Sequence, residues 1–150
     1  MVFQNVLVLR GPPKWLIKLA DFGLSKRLTE STVYKTIAGT ERYMAPEILE
    51  YIDTESSSGK YTNAVDLWAV GCIVFRIITG GVPFSTPNLI KYCRGASRFP
   101  SDPLHDAHIR RESACFSFIR RLLKAYPSER PSASQALGHS WIRSGKSAIS

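Results

Sequence analysis

The chain has 150 residues, 44% of them hydrophobic, enough for one globular domain with a single core. Its three cysteines, Cys72, Cys93 and Cys115, are widely spaced and odd in number, which argues against a disulfide framework or a zinc site and for an intracellular setting, cytoplasm or nucleus. The net charge of +8 raises the question of a nucleic-acid partner, but the basic residues are scattered, densest at Arg110, Arg111, Arg120, Arg121 and Lys124, and lack interleaved aromatic residues for base stacking.

From the N-terminus, Val6 to Leu9 reads as a short strand, Gly11-Pro12-Pro13 as a turn, and Trp15 to Leu19 as a second strand. The Met1 to Leu9 stretch has no basic n-region of a signal peptide, and the longest apolar run, Leu67 to Phe75, is shorter than the ~20 residues that span a bilayer. Leu24 to Glu41 is rich in Ser, Thr, Lys and Arg and has the composition of a long exposed loop. Ile52 to Lys60, around Ser56-Ser57-Ser58-Gly59, reads as a polar surface insertion. Val65 to Thr79 is apolar on nearly every face and stops at Gly80-Gly81, so it is expected as a buried central helix. A weaker helix near Pro87 to Cys93, an amphipathic helix from Ser113 to Lys124, and a short helix capped by Ser132 and reaching Leu137 follow. Residues 143–150 read as a polar tail, and no repeat or second domain is visible.

Asp21-Phe22-Gly23 follows the hairpin, and Asn5 precedes it. A hydroxyl-rich loop then leads into Gly39-Thr40-Glu41-Arg42-Tyr43-Met44-Ala45-Pro46-Glu47, Asp66-Leu67-Trp68-Ala69-Val70-Gly71 opens the apolar helix, and Arg130-Pro131-Ser132-Ala133 stands near the end. In this order and spacing the motifs resemble the protein-kinase signature set, and the chain is similar to the C-terminal lobe of a eukaryotic-type Ser/Thr kinase. The continuation Leu24-Ser25-Lys26 leans toward the calcium/calmodulin-dependent and checkpoint kinase group. The resemblance implies a mainly α fold, a helical bundle around a buried central helix with a small N-terminal β-hairpin. It also implies ATP and Mg²⁺ as cofactors, and protein substrates with Ser or Thr acceptors.

Phosphoryl transfer asks the protein for positioning and charge neutralisation more than for covalent chemistry. Mg²⁺ is a hard cation that keeps several waters and takes one or two protein oxygens, so a carboxylate and an amide suit it. By resemblance Asp21 is the main metal and cofactor ligand, within a motif shaped by Phe22 and Gly23, and Asn5 holds the second magnesium. Thr36 matches the regulatory phosphothreonine of many members, where a phosphate would pair with Arg and order the loop. Thr29, Ser31, Thr32 and Tyr34 compete with it. Thr40 resembles the substrate-side residue that contacts the catalytic Asp and favours Ser or Thr acceptors. Glu47 and Arg130 match a structural pair, and Asp66 matches a buried Asp that accepts backbone N–H groups of the catalytic loop. A carboxylate complementing the helix dipole is an equal alternative for Asp66.

The family pattern H-R-D-x-x-x-x-N puts the proton-accepting Asp five residues before the Asn. Counted back from Asn5, that position falls immediately before Met1. The family's Lys and Pro are replaced by Val2 and Phe3, Tyr126 stands where an Asp is usual, and the Gly-rich loop and its partner lysine lie outside the sequence. The expectation is therefore a partial kinase domain, inactive as an isolated chain, that works with a missing N-terminal lobe or a partner kinase. A pseudokinase-like scaffold that docks a partner is the alternative, and a basic nucleic-acid binder the third reading. No membrane role is expected.

Overall fold

A computed structural model describes residues 6–20, 41–52 and 63–147. Strands β1 (Val6–Arg10) and β2 (Leu16–Leu19) pair antiparallel, with Val6 opposite Leu19 and Val8 opposite Ile17 and a register irregularity between Val8 and Arg10. Nearly every residue of the hairpin is exposed, including Leu7, Val8, Leu9, Trp15, Ile17 and Leu19. A lone two-stranded hairpin is marginal without something packed on it.

The centre of the molecule is α1 (Ala64–Thr79). Asp66 sits in its first turn, where a carboxylate favours the positive end of the helix dipole. Gly80 ends it with φ 79°, donating its N–H to the Arg76 carbonyl at 2.8 Å, a left-handed cap that suits glycine. One face of α1 carries Trp68, Cys72 and Phe75 into the main core, with Phe84, Leu89, Leu104, Ile119 and Leu123. Leu67 belongs to a second cluster with Phe118, Leu122 and Ala136. The helix is not buried all round, as its uniformly apolar sequence had suggested. Asp66, Val70 and Ile77 are exposed, and their spacing of four and seven residues places them on one stripe that no described element covers.

After α1 come α2 (Thr86–Cys93), α3 (Asp102–Asp106), α4 (Ala114–Leu122), α5 (Ala133–Leu137) and α6 (Ser140–Ser147). Helix α4 crosses α1 where Gly71 faces it: a Cβ there would lie 2.9 Å from the Leu123 side chain, so glycine is what lets the two approach. Ser113 caps α4 by accepting from the Phe116 N–H at 3.1 Å. A reciprocal capping box between Ser132 and Gln135 starts α5. Helices α3 and α6 were not expected. The first has only five residues, and the second runs through most of what reads as a polar tail, anchored by Trp141 against the Leu67–Phe118 cluster.

Candidate active site

The segment before Glu47 is a 3-10 turn, Glu41–Tyr43, followed by Ala45 and Pro46, both buried in the core. The chain then winds through bonds from Ile48 and Leu49 N–H to the Ala45 carbonyl and from Tyr51 N–H to the Pro46 carbonyl, with Glu50 left-handed at φ 56°. This tight winding sets Glu47 beneath the start of α1, where Arg130 meets it.

Arg130 places every donor it has. Nη1 and Nη2 donate to the Glu47 carboxylate at 2.7 and 2.8 Å, Nη1 also to the Ala64 carbonyl at 3.0 Å, Nη2 to the Ala125 carbonyl at 2.7 Å, and Nε to the Lys124 carbonyl at 2.8 Å. Five bonds match the five N–H groups of a guanidinium. The Arg130 side chain is 0% exposed and that of Glu47 8%. The guanidinium also lies over the Trp68 ring, 5.0 Å from its centroid. One cation thus joins the end of α4, the start of α1 and the Ala45-Pro46-Glu47 segment, satisfying in a buried place what a lone charge would leave unpaid.

Other links surround this hub. Arg76 donates to the Tyr43 hydroxyl, with its guanidinium 5.9 Å from the Tyr43 ring centroid. The Tyr92 hydroxyl donates to the Leu123 carbonyl at 3.0 Å, and its ring stacks on Phe84, which stacks on Trp68. Burial pushes the Cys72 thiol up to about 12, against the opposing pull of Arg130. Burial likewise raises Cys93 and Cys115.

Of the residues singled out from sequence, the structure brings together Glu47 and Arg130. It leaves Asp66 exposed in the first turn of α1; the catalytic-loop groups it would accept from lie outside the described residues. Asn5, Asp21, Phe22, Gly23, Thr36 and Thr40 also fall outside them, as does most of the Ser-rich insertion. Among the described residues no group of three His, Cys, Asp or Glu side chains is placed to hold a metal. No helix there is long and apolar enough to cross a membrane. Sequence reasoning missed the Arg76–Tyr43 bond and the role of Trp68 as the plate under Arg130. Trp68 was visible inside its motif, but nothing local said which cation it would meet.

The protein kinase domain family matches residues 3–142. The serine/threonine-protein kinase RAD53 of Saccharomyces cerevisiae is 36% identical over 148 residues, covering 93% of this chain and 18% of its own length. Serine/threonine-protein kinase cds1 of Schizosaccharomyces pombe is 34% identical over 142 residues, covering 93% of this chain and 30% of its own. A crystal structure of the Rad53 kinase domain and SCD2 in complex with AMPPNP superposes with a TM-score of 0.66 at 31% identity, over 93% of this chain and 47% of that one. The chain thus spans less than half the length of each. By its sequence, its fold and its serine/threonine-kinase relatives, the chain belongs to the protein kinase domain family.

Proposed function

We propose that the chain supplies the helical, metal-holding and substrate-facing part of a serine/threonine protein kinase, whose intact domain moves the γ-phosphoryl group of ATP to Ser or Thr side chains of proteins. The observation that carries this reading is the family match over residues 3–142. The Glu47–Arg130–Trp68 hub supports it, because it fixes the segment that continues from Thr40 to the buried helix α1. A carboxylate at Asp21 and an amide at Asn5 suit magnesium by donor chemistry, and the ion would offset phosphate charge during transfer. ATP is the expected nucleotide; the Rad53 structure, a relative's, holds AMPPNP. Thr36 would bear the activating phosphate, and Thr40 would face the acceptor. Asp66 would accept from the catalytic loop along the exposed stripe of α1. The setting is intracellular.

The 150 residues alone are expected to transfer no phosphate and to bind MgATP weakly, since one Asp and one Asn do not replace a phosphate-covering loop and its lysine. A second reading, a scaffold that docks a partner, draws support from the exposed apolar hairpin. The test fuses the upstream half of a related Ser/Thr kinase, with its His-Arg-Asp segment, ahead of Gln4. Transfer to a Ser/Thr peptide supports the kinase reading. A folded fusion that binds nucleotide yet transfers nothing favours the scaffold.

A further inference from the structure

Trp68 is almost completely buried, and its Nε1–H has no acceptor among the described residues. Buried indole N–H groups usually find one, and a donor left without it costs about 1–3 kcal/mol. Phe84 stacks beside the ring at 5.8 Å and Arg130 lies over it at 5.0 Å, and neither side chain accepts a hydrogen bond.

Trp68 also lines a small cavity between the Glu41–Tyr43 turn, α1 and the start of α2. Trp68, Phe84 and Leu89 form its buried side, while Glu41, Ser85 and Thr86 bring polar groups to its exposed rim. Its volume is about 20 Å³. By that measure a water needs ~10–15 Å³ and two to four polar partners. The space fits one water.

A separate feature points to the same place. Ser85 is the N-cap residue of α2, with φ −81° and ψ 160°, yet its hydroxyl makes no capping bond. An N-cap serine ordinarily accepts from the second or third N–H of its helix, and the second residue here is Pro87, which has none. The residue that carries the unpaired donor and the residue whose hydroxyl makes no cap bond thus both line one water-sized space.

We propose that this cavity is a single-water site, in which the water accepts from the Trp68 Nε1–H and bonds to the Ser85 hydroxyl and the polar rim. The water ties the Glu41–Tyr43 turn, directly after Thr40, to α1 and α2 through the core. The site stands whether or not the kinase reading does. A carbonyl oxygen of a bound peptide is the other acceptor of suitable chemistry.

The test is the crystal structure of the full chain together with water–indole NOE and ROE spectra of the indole-¹⁵N-labelled full chain. Expected are a density peak within hydrogen-bond distance of Nε1 and a Trp68 Hε1–water cross-peak whose NOE and ROE have opposite signs, the mark of a held water. Ser85→Ala should keep that cross-peak through the remaining partners, so that relay by the serine hydroxyl is excluded. Trp68→Phe assigns the resonance; if it fails to fold, Trp15→Phe and Trp141→Phe assign it by elimination. A dry cavity, a protein or peptide carbonyl at that point, or loss of the cross-peak in Ser85→Ala overturns the proposal.

Discussion

Arg130 and Glu47 stand 83 residues apart in sequence and share two hydrogen bonds of 2.7 and 2.8 Å in a place closed to solvent. Removing one partner of such a pair strands the other charge and costs about 3–5 kcal/mol. Glu47→Ala is expected in that range by denaturant unfolding. Arg130→Ala is expected to cost at least as much, since three carbonyls lose their donors as well. The double variant should lose less than the sum of the singles, and strict additivity would contradict the coupling. Arg130→Lys should not rescue, because an ammonium cannot reproduce the fork.

The α1–α4 crossing gives a second prediction. Gly71→Ala would put a methyl 2.9 Å from Leu123 and 3.0 Å from Leu122, and overpacking of this kind costs about 1–3 kcal/mol. Unfolding midpoints of Gly71→Ala and of a control at the exposed Val70, Val70→Ala, test it. Equal midpoints would show that the helices yield without cost.

Cys72 predicts an alkaline limit. Its thiol rises from an ordinary 9.0 to about 12 in the fold, mainly through burial, so the folded chain holds a proton that the unfolded chain releases first. Its stabilising contribution is complete below about 9 and falls as pH rises toward about 12. Cys93 and Cys115 act in the same direction. Thiol reagents at neutral pH should label the native chain far more slowly than the unfolded one. Rapid native labelling would place the thiols at the surface.

His139 runs the other way. Its Nδ1 accepts from the Trp141 N–H at 3.3 Å, and desolvation, then the Arg121 charge, hold its midpoint below 6.5. Above 6.5 its small contribution to stability is present, and it is lost as pH falls through the depressed midpoint. NMR titration should find the depressed midpoint, and Arg121→Gln should bring it part of the way back. A midpoint unmoved by that substitution would remove Arg121 as a cause.

Much of this scaffold is legible in the chain, and the illegible part has physical reasons. Val65 to Thr79 announces a helix by its apolar run and by the Gly80 stop, an amphipathic pattern announces the one from Ser113, and Ser132 marks a helix start through capping chemistry. The exposed stripe at Val70 and Ile77 is hidden from sequence reading, because an apolar residue looks the same whether or not a neighbour covers it. Helix α6 looked like a tail because its composition is polar; the docking of Trp141 on Phe118 is a tertiary fact. The Glu47–Arg130 pairing came from family resemblance. The carbonyls of Ala64, Lys124 and Ala125 that complete it carry no sequence signal, since every residue has one.

The most direct test of the kinase reading is the MgATP-dependent rate of Ser/Thr peptide phosphorylation by the chimaera with an upstream half restored, compared with its Asp21→Asn variant. Asn5→Ala should lower the rate through the second metal, and Thr36→Ala should reduce activation while leaving basal transfer. The account expects an active parent and an Asp21→Asn variant that folds equally well and has lost turnover, because the amide weakens the main magnesium contact. Full activity in a folded Asp21→Asn protein would contradict the metal assignment and, with it, the proposed mechanism.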